Sequence, residues 1–278
     1  MSARVLIAGA GDVGLRAAHR LRSRGEEVWA LRRSVGGTAD DGIRWIQGDL
    51  TRPETLRGLP HGISHIVYLP TPDARDEALY RAVFVDGLQH LLDAVDRTAL
   101  QRLVFVSSTA VYGEHGDAWV DEDTPAEPPG FNGRVLLEAE RYAQAHAPAV
   151  ALRLAGLYGP GRLQLIERLR AGAARVPRGT VHWANRIHVD DAASAIVHLL
   201  FLRDPEPLYL GVDDTPLPLD VLYDDLARRV HAPLPGEGAA PAGVGSKRLS
   251  NARLRASGFV PQWPDAREGY AALLAGDG

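Results

Sequence analysis

The stretch RVLIAGAGDVG, residues 4–14, decides the fold. Its first half is a short, nearly continuous apolar run, which is typical of a strand buried on both faces of a parallel sheet. Its second half carries Gly9, Gly11 and Gly14 in the order G-x-G-x-x-G, and apolar residues at helical spacing follow until Gly25. A glycine-rich loop that leaves a strand and opens a helix indicates a dinucleotide-binding βαβ unit.

Each glycine of this loop has a predicted task. Gly9 permits the tight turn, Gly11 lets a pyrophosphate approach the backbone, and Gly14 allows the helix to pack closely on the strand. The start of the helix, with Asp12 and Val13, then offers N–H groups to the phosphates. The alternative is an ordinary glycine-rich turn, which the position between strand and helix disfavours.

Strands alternate with helices along the first part of the chain. This alternation predicts right-handed crossovers and a parallel sheet covered on both faces, so we expect an α/β fold with a Rossmann-type doubly wound parallel sheet. Beyond the first strand and helix, the predicted strands are 27–31, 43–46, 63–69, 103–107 and 150–154, and the predicted helices are 73–97 and 134–146.

After about residue 160 the pattern loosens, and proline and glycine become more frequent. We predict a dinucleotide-binding core over 1–160. Residues 161–278 should form mainly a small C-terminal substrate lobe, with a segment near 185–200 returning to the core.

The composition excludes several classes of function. Of the 278 residues, 45% are hydrophobic and 24% charged, which favours a sizeable core over disorder. The net charge of −4 gives no electrostatic case for nucleic acid or an anionic membrane. The sequence has no cysteine, no apolar run of about 20 residues and no leader-like N-terminus. We therefore expect a cytoplasmic protein without a nucleic-acid or membrane partner, and no motif requires a metal.

The end of the second predicted strand indicates the cofactor. A carboxylate there would accept a hydrogen bond from the adenosine ribose and favour NAD, but the chain has Arg32 and Arg33. Guanidinium groups bind a 2′-phosphate bidentately, which predicts a preference for NADP(H) over NAD(H). A solvated basic pair is the alternative. After the third strand, Asp49 could accept from the adenine amino group while Leu50 packs on the ring. The alternative is that Asp49 is only a turn residue.

Six motifs, spread over nearly the whole chain, carry a family resemblance. With them the chain resembles the extended short-chain dehydrogenase/reductases of the NAD-dependent epimerase/dehydratase family. It is most similar to atypical members that keep the nucleotide fold and lose the catalytic tetrad. The motifs are GAGDVG (9–14), GDL (48–50), VFVSSTAVYG (104–113), LRLAGLYGPGR (152–162), NRIHVDDAASA (185–195) and KRLSNARLRASGF (247–259).

The resemblance implies a catalytic tetrad of Asn, Ser or Thr, Tyr and Lys, and most of it is missing here. Phe84 takes the place of the Asn, and Ser108 matches the Ser. The Tyr-x-x-x-Lys window offers Phe131 and Val135 in one register, or Gly130 and Arg134 in the other. Arg134 could replace the lysine as a donor to the nicotinamide ribose, but its permanent charge keeps it out of a proton relay.

The same motifs place further residues around the cofactor and the substrate. Tyr112 and Tyr158 could supply the missing acid, although packing roles are the favoured interpretation. His188, with Asp190 or Asp191, is expected to cap a helix N-terminus and not to bind a metal. The further residues predicted to bind the cofactor are Leu69, Pro70, Ser107, Arg134 and Leu157. The predicted substrate-cleft residues are Thr71, Thr109, Tyr112, Phe131, Tyr158, Arg162 and Arg186.

Three functions fit these residues. The leading hypothesis is an NADP-dependent oxidoreductase-like protein with altered or weak catalysis, in which Ser108 is the tentative catalytic residue. The main rival is a non-catalytic NADP(H) sensor or scaffold. The third is an enzyme in which substrate groups or water replace the tyrosine. The substrate is expected to be a small molecule. A nucleotide sugar is disfavoured, because Ala184 stands where those family members have an arginine that grips the diphosphate, although Arg162 and Arg186 are nearby and could bind an anion. The sequence leaves the oligomeric state open.

Overall fold

A computed structural model describes residues 2–34, 41–241 and 243–276. The strands are β1 (Arg4–Ala8), β2 (Glu27–Arg32), β3 (Arg44–Gln47), β4 (His65–Tyr68), β5 (Arg102–Ser108), β6 (Trp119–Val120), β7 (Ala149–Leu154), β8 (Gly156–Tyr158), β9 (Arg175–Val176), β10 (Trp183–Ala184), β11 (Arg186–His188), β12 (Leu208–Gly211), β13 (Leu217–Pro218), β14 (Gly236–Glu237) and β15 (Arg248–Leu249). The helices are α1 (Asp12–Ser23), α2 (Glu77–Arg81), α3 (Gly87–Ala94), α4 (Phe131–His146), α5 (Gln164–Arg170), α6 (Val189–Phe201), α7 (Leu219–Arg229), α8 (Ala252–Ala256) and α9 (Ala266–Gly276).

A parallel sheet of seven strands confirms the predicted Rossmann-type fold. Its order is β12-β7-β5-β4-β1-β2-β3. The chain adds β2 and β3 on one side of β1, then crosses to the other side and adds β4, β5, β7 and β12 there. β1 pairs with β2 in the register Ala8↔Leu31 and with β4 in the register Ala8↔Tyr68. Ligands of such sheets bind at the carboxyl ends of the strands where the winding direction changes, which here is the end of β1.

The predicted helix 73–97 is shorter and irregular in the middle. It begins after Asp76, whose carboxylate accepts the Leu79 N–H at 2.9 Å. Between α2 and α3 the residues Ala82–Asp86 form a π-helical segment. The buried Tyr68 hydroxyl donates to the Val83 carbonyl at 2.5 Å inside this segment, and its burial raises its pKa well above the ordinary value. A π-turn of this kind is often a functional feature.

The described residues cluster into two compact units. The first comprises 1–111, 130–153 and 193–209, and the second comprises 112–129, 154–192 and 210–278. The first unit contains the strands of the large sheet up to Arg153. The second has its own core around Tyr158, Leu222 and Tyr270. The predicted domain organisation, with its boundary near residue 160, stays a prediction.

None of the helices in the described part of the chain is both long enough and apolar enough to cross a membrane. The predicted cytoplasmic location stays a prediction.

Candidate cofactor and catalytic site

The glycine loop is held between the ends of β2 and β4. The N–H groups of Gly9 and Ala10 both donate to the Leu31 carbonyl, at 3.1 and 3.2 Å. On the other side, a Cβ built on Gly9 would lie 2.6 Å from the Pro70 nitrogen and 2.7 Å from the Leu69 carbonyl carbon. Gly9 also has a φ of +98°, so both its backbone conformation and its surroundings require glycine.

The other two glycines differ in what surrounds them. A Cβ on Gly14 would lie 3.0 Å from the Gly9 carbonyl oxygen and 3.2 Å from Ile7 Cγ2, as expected where α1 packs tightly on β1. A Cβ on Gly11 would meet no heavy atom within 4 Å. Gly11 is the N-cap of α1 and makes no side-chain cap. The loop therefore leaves open space beside Gly11 and directs a helix N-terminus toward it, which fits a dinucleotide pyrophosphate.

Two arginines lie at the end of β2, and each has a partner. The Arg32 guanidinium lies over the Trp45 ring at 5.1 Å from its centroid, and its Nε donates to the Ser34 carbonyl. Arg33 forms a two-point ion pair with Asp73, in which Nη2 and Oδ1 are 2.6 Å apart. The hydrogen bond from Arg33 lowers the pKa of Asp73, and the same bond raises the pKa of Arg33.

Asp49 and Leu50 lie where the sequence predicted an adenine site. Asp49 Oδ1 accepts from the N–H and the hydroxyl of Thr51, at 2.9 and 2.8 Å, which makes it a turn-forming residue. Leu50 is buried, and its carbonyl is hydrogen-bonded to His90 Nδ1. The predicted adenine contact stays a prediction.

The two serines at the end of β5 have different surroundings. Ser107 is buried, and its hydroxyl donates to Glu140 on α4. Glu140 in turn forms a buried ion pair with Arg153 on β7, with Arg153 Nη2 and Glu140 Oε2 2.7 Å apart. Ser108 is half-buried, and its Oγ accepts the Ala110 N–H at 3.2 Å. Because Ser108 accepts in this bond, its hydroxyl proton can serve a further acceptor.

Aromatic side chains occupy the start of α4 and the helix facing it. Phe131 packs edge-on against Tyr80, with ring centroids 5.4 Å apart. Tyr80 also contacts Phe84, which is buried and packs on Phe105. The structure therefore places Phe84 in the core of the first unit. The exposed Arg134 lies 4.0 Å from Glu77.

Of the other predicted residues in the first unit, Thr71 is exposed and Thr109 is buried. Both lie just beyond the carboxyl end of a strand of the large sheet, β4 or β5 respectively. Their predicted place in the substrate cleft stays a prediction.

In the second unit, the two candidate tyrosines are packing residues. Tyr112 is buried, and its hydroxyl donates to the Asp121 carbonyl at 3.0 Å. Tyr158 stacks on Tyr270, with ring centroids 4.4 Å apart. Burial raises the pKa of Tyr158, and its hydroxyl has no hydrogen-bond partner within the part of the chain that the structure describes.

The remaining predicted residues of this unit lie on β8, β11 and the turn after β8. Leu157 pairs with Ile187, Arg186 lies at the start of β11, and the Arg162 N–H donates to the Gly159 carbonyl at 3.0 Å. The Asp190 N–H at the start of α6 donates to His188 Nδ1 at 3.2 Å, which confirms the predicted capping role of the histidine.

Sequence reasoning missed several residues that the structure singles out. Asp73 and Trp45 hold the two arginines at the end of β2. Tyr80 lies against the tyrosine window, and Asp213 of the second unit is buried, which raises its pKa to about 8. The contacts and the burial of each of these residues involve residues distant in sequence, so no local spacing could have revealed them.

A doubly wound sheet with an open glycine loop at its switch point defines a dinucleotide-binding protein. The chain belongs to the NAD-dependent epimerase/dehydratase family, whose model matches residues 5–208. It is 30% identical to protein YeeZ of Escherichia coli K12, over 94% of this chain and 97% of that protein. It is 29% identical to a 3-diazoavenalumate denitrifying reductase of a Streptomyces species, over 96% and 98%.

Solved structures superpose on nearly the whole chain. A Methylobacillus flagellatus protein assigned as an NAD-dependent epimerase/dehydratase shares 40% identity, with a TM-score of 0.86 and coverage of 100% of this chain and 99% of that one. MoeE5, solved with UDP-glucuronic acid and NAD, shares 25% identity, with a TM-score of 0.81 and coverage of 98% of both chains. The chain is thus an NAD(P)-dependent oxidoreductase-like protein of the epimerase/dehydratase superfamily, and the predicted family membership is confirmed.

Proposed function

We propose that this protein is an NADP(H)-dependent oxidoreductase that acts, with altered or weak catalysis, on a small carbonyl or hydroxyl compound. The observation that carries the proposal is the open space beside Gly11, together with Arg32 and Arg33 at the end of β2. The reductase relative supports oxidoreductase chemistry, and the NAD bound to MoeE5 supports a nicotinamide cofactor.

Each part of the first unit has a proposed task. The glycine loop and the start of α1 would bind the pyrophosphate, and Arg33 would bind the 2′-phosphate. A bound nicotinamide supplies or accepts a hydride. Ser108 would donate its hydroxyl proton in a hydrogen bond to the substrate oxygen. The Tyr-x-x-x-Lys window supplies no acid that could exchange a proton with the substrate. This holds in both registers, Phe131 with Val135 or Gly130 with Arg134. General acid–base help worth about 10²–10⁴-fold would then be lost.

A nucleotide sugar is not the proposed substrate. MoeE5 is described with UDP-glucuronic acid, but Ala184 of this chain is a small, buried residue and provides no guanidinium to a diphosphate. A smaller carbonyl compound needs no such group, so we propose an aldehyde or ketone, or the corresponding alcohol.

Replacing Ser108 by alanine tests the catalytic part of the proposal. Removing the donor to a developing oxyanion should lower kcat about 10²-fold or more, with little change in cofactor affinity. The measurement is NADPH oxidation and NADP reduction against aldehydes, ketones, sugars and nucleotide sugars. Ser23→Ala is the control, because the exposed Ser23 hydroxyl donates to the His19 carbonyl at the C-terminal end of α1, outside the proposed site. Equal turnover in wild type and Ser108→Ala would contradict a catalytic role.

A non-catalytic NADP(H) sensor is the second candidate, and the aromatic cluster of Tyr80, Phe84 and Phe131 favours it. Under this function the cofactor binds with ordinary affinity, while no member of the substrate panel is turned over. Wild-type turnover near the enzyme median of about 10 s⁻¹ would exclude the sensor.

Cofactor preference is tested by titrating both dinucleotides calorimetrically. Charge-assisted hydrogen bonds to the 2′-phosphate should give wild type roughly a ten- to hundredfold preference for NADP(H). Arg32→Ala/Arg33→Ala should lose most of it. Arg44→Ala is the matched control, because the Arg44 and Arg33 side chains are both 58% exposed and each belongs to an ion pair. Equal affinity of wild type for NADP(H) and NAD(H) would contradict the preference.

A further inference from the structure

The ion pair between Arg33 and Asp73 has no role in the function proposed so far. Asp73 lies 40 residues from Arg33 in sequence, in the loop that follows β4. Both Arg33 Nη atoms donate to its carboxylate. The side chains are 58% and 61% exposed, so the solvent weakens the pair and it opens at low cost.

The two partners are attached to opposite sides of the glycine loop. Leu31, two residues before Arg33, accepts the N–H groups of Gly9 and Ala10. Pro70, three residues before Asp73, packs against Gly9 on the other side. The ion pair therefore links the two segments between which the glycine loop is held.

Arg33 faces carboxylates and no other strong acceptor among the described residues. Asp73 is its direct partner, and Asp49 contributes a weaker attraction that also raises the pKa of Arg33. The neighbouring Arg32 stacks on Trp45. A 2′-phosphate approaching Arg33 thus meets a guanidinium in which each Nη already donates one hydrogen bond to a carboxylate of the same charge sign as the phosphate.

We propose that Asp73 sets how strongly this protein discriminates NADP(H) from NAD(H). This inference rests on the proposed function. With NAD(H), the carboxylate keeps Arg33 paired. With NADP(H), the 2′-phosphate competes with the Asp73 carboxylate for Arg33, and this competition lowers the affinity for the phosphorylated cofactor. Asp73 is therefore a specificity-determining residue that weakens the preference created by Arg33.

The test compares cofactor affinities in wild type, Asp73→Asn, Glu27→Gln, Arg33→Ala and Arg33→Ala/Asp73→Asn. Asp73→Asn should tighten NADP(H) binding about fivefold, the upper end for an exposed ion pair, and leave NAD(H) binding within about twofold. Glu27, at the start of β2, forms an exposed ion pair with Arg44. Glu27→Gln therefore removes the same charge elsewhere and should change the affinity for neither NADP(H) nor NAD(H). In the Arg33→Ala background, Asp73→Asn should have less than about a twofold effect on NADP(H).

The outcomes separate this inference from the proposed function. Unchanged NADP(H) affinity in Asp73→Asn overturns the inference, as does equal tightening of both cofactors or a gain that persists without Arg33. A wild type that binds both cofactors equally, together with an Asp73→Asn variant that gains NADP(H) preference, supports the inference and contradicts the proposed wild-type preference. A wild type that binds neither cofactor overturns both.

Discussion

Gly11→Val is expected to abolish measurable binding of NADP(H) and NAD(H) while leaving the fold intact. A Cβ built on Gly11 would meet no heavy atom of the chain within 4 Å beyond its sequence neighbours, so the new side chain points into open space. It would instead occupy the volume proposed for the pyrophosphate. Calorimetric titration measures the binding, and circular dichroism with thermal unfolding measures the fold.

Gly58→Val is the matched control for this variant. A Cβ at Gly58 also meets no heavy atom within 4 Å, but Gly58 follows the 3₁₀ turn Pro53–Leu56, outside the glycine loop. Its cofactor affinity should equal that of wild type. Wild-type affinity in a folded Gly11→Val protein would refute the assignment of the phosphate loop.

Arg153→Met is expected to lower the free energy of unfolding by about 3–5 kcal/mol. The variant leaves the Glu140 carboxylate buried, and among the described residues the Ser107 hydroxyl is then its remaining side-chain hydrogen-bond donor. A buried charge without its counter-charge is far costlier than an absent pair. Denaturant titration measures the change in the free energy of unfolding. In thermal unfolding the same change should lower the midpoint by roughly 10 °C.

Two further variants serve as controls for Arg153→Met. Arg81→Met breaks the exposed ion pair of Arg81 with Glu138, also on α4, and should cost less than about 1 kcal/mol. Arg153→Met/Glu140→Gln removes both buried charges and keeps an oxygen for Ser107, so it should recover most of the lost stability. Similar losses in Arg153→Met and Arg81→Met would contradict the importance of burial.

Much of the fold follows from local patterns. The apolar run before Gly9 is a strand buried on both faces, and the three glycines predicted a tight turn, an open approach and close packing that the structure confirms for Gly9 and Gly14. The predicted helix 73–97 was wrong in its bounds and in its regularity. A π-helical segment accommodates the Tyr68 hydroxyl inside the helix, and no periodicity within the helix encodes that contact.

The sequence by itself determined the fold class and the positions of the glycine loop and of the arginines at the end of β2, because these depend on residues close together along the chain. Only the tertiary structure decided which partners those residues have. Arg33 pairs with Asp73 because the ends of β2 and β4 lie on either side of β1, and Glu140 meets Arg153 because α4 packs on β5, the neighbour of β7 in the sheet. A carboxylate and a guanidinium pair wherever the fold brings them within reach, so the identity of the partner is set by strand order and helix packing and not by spacing in the sequence.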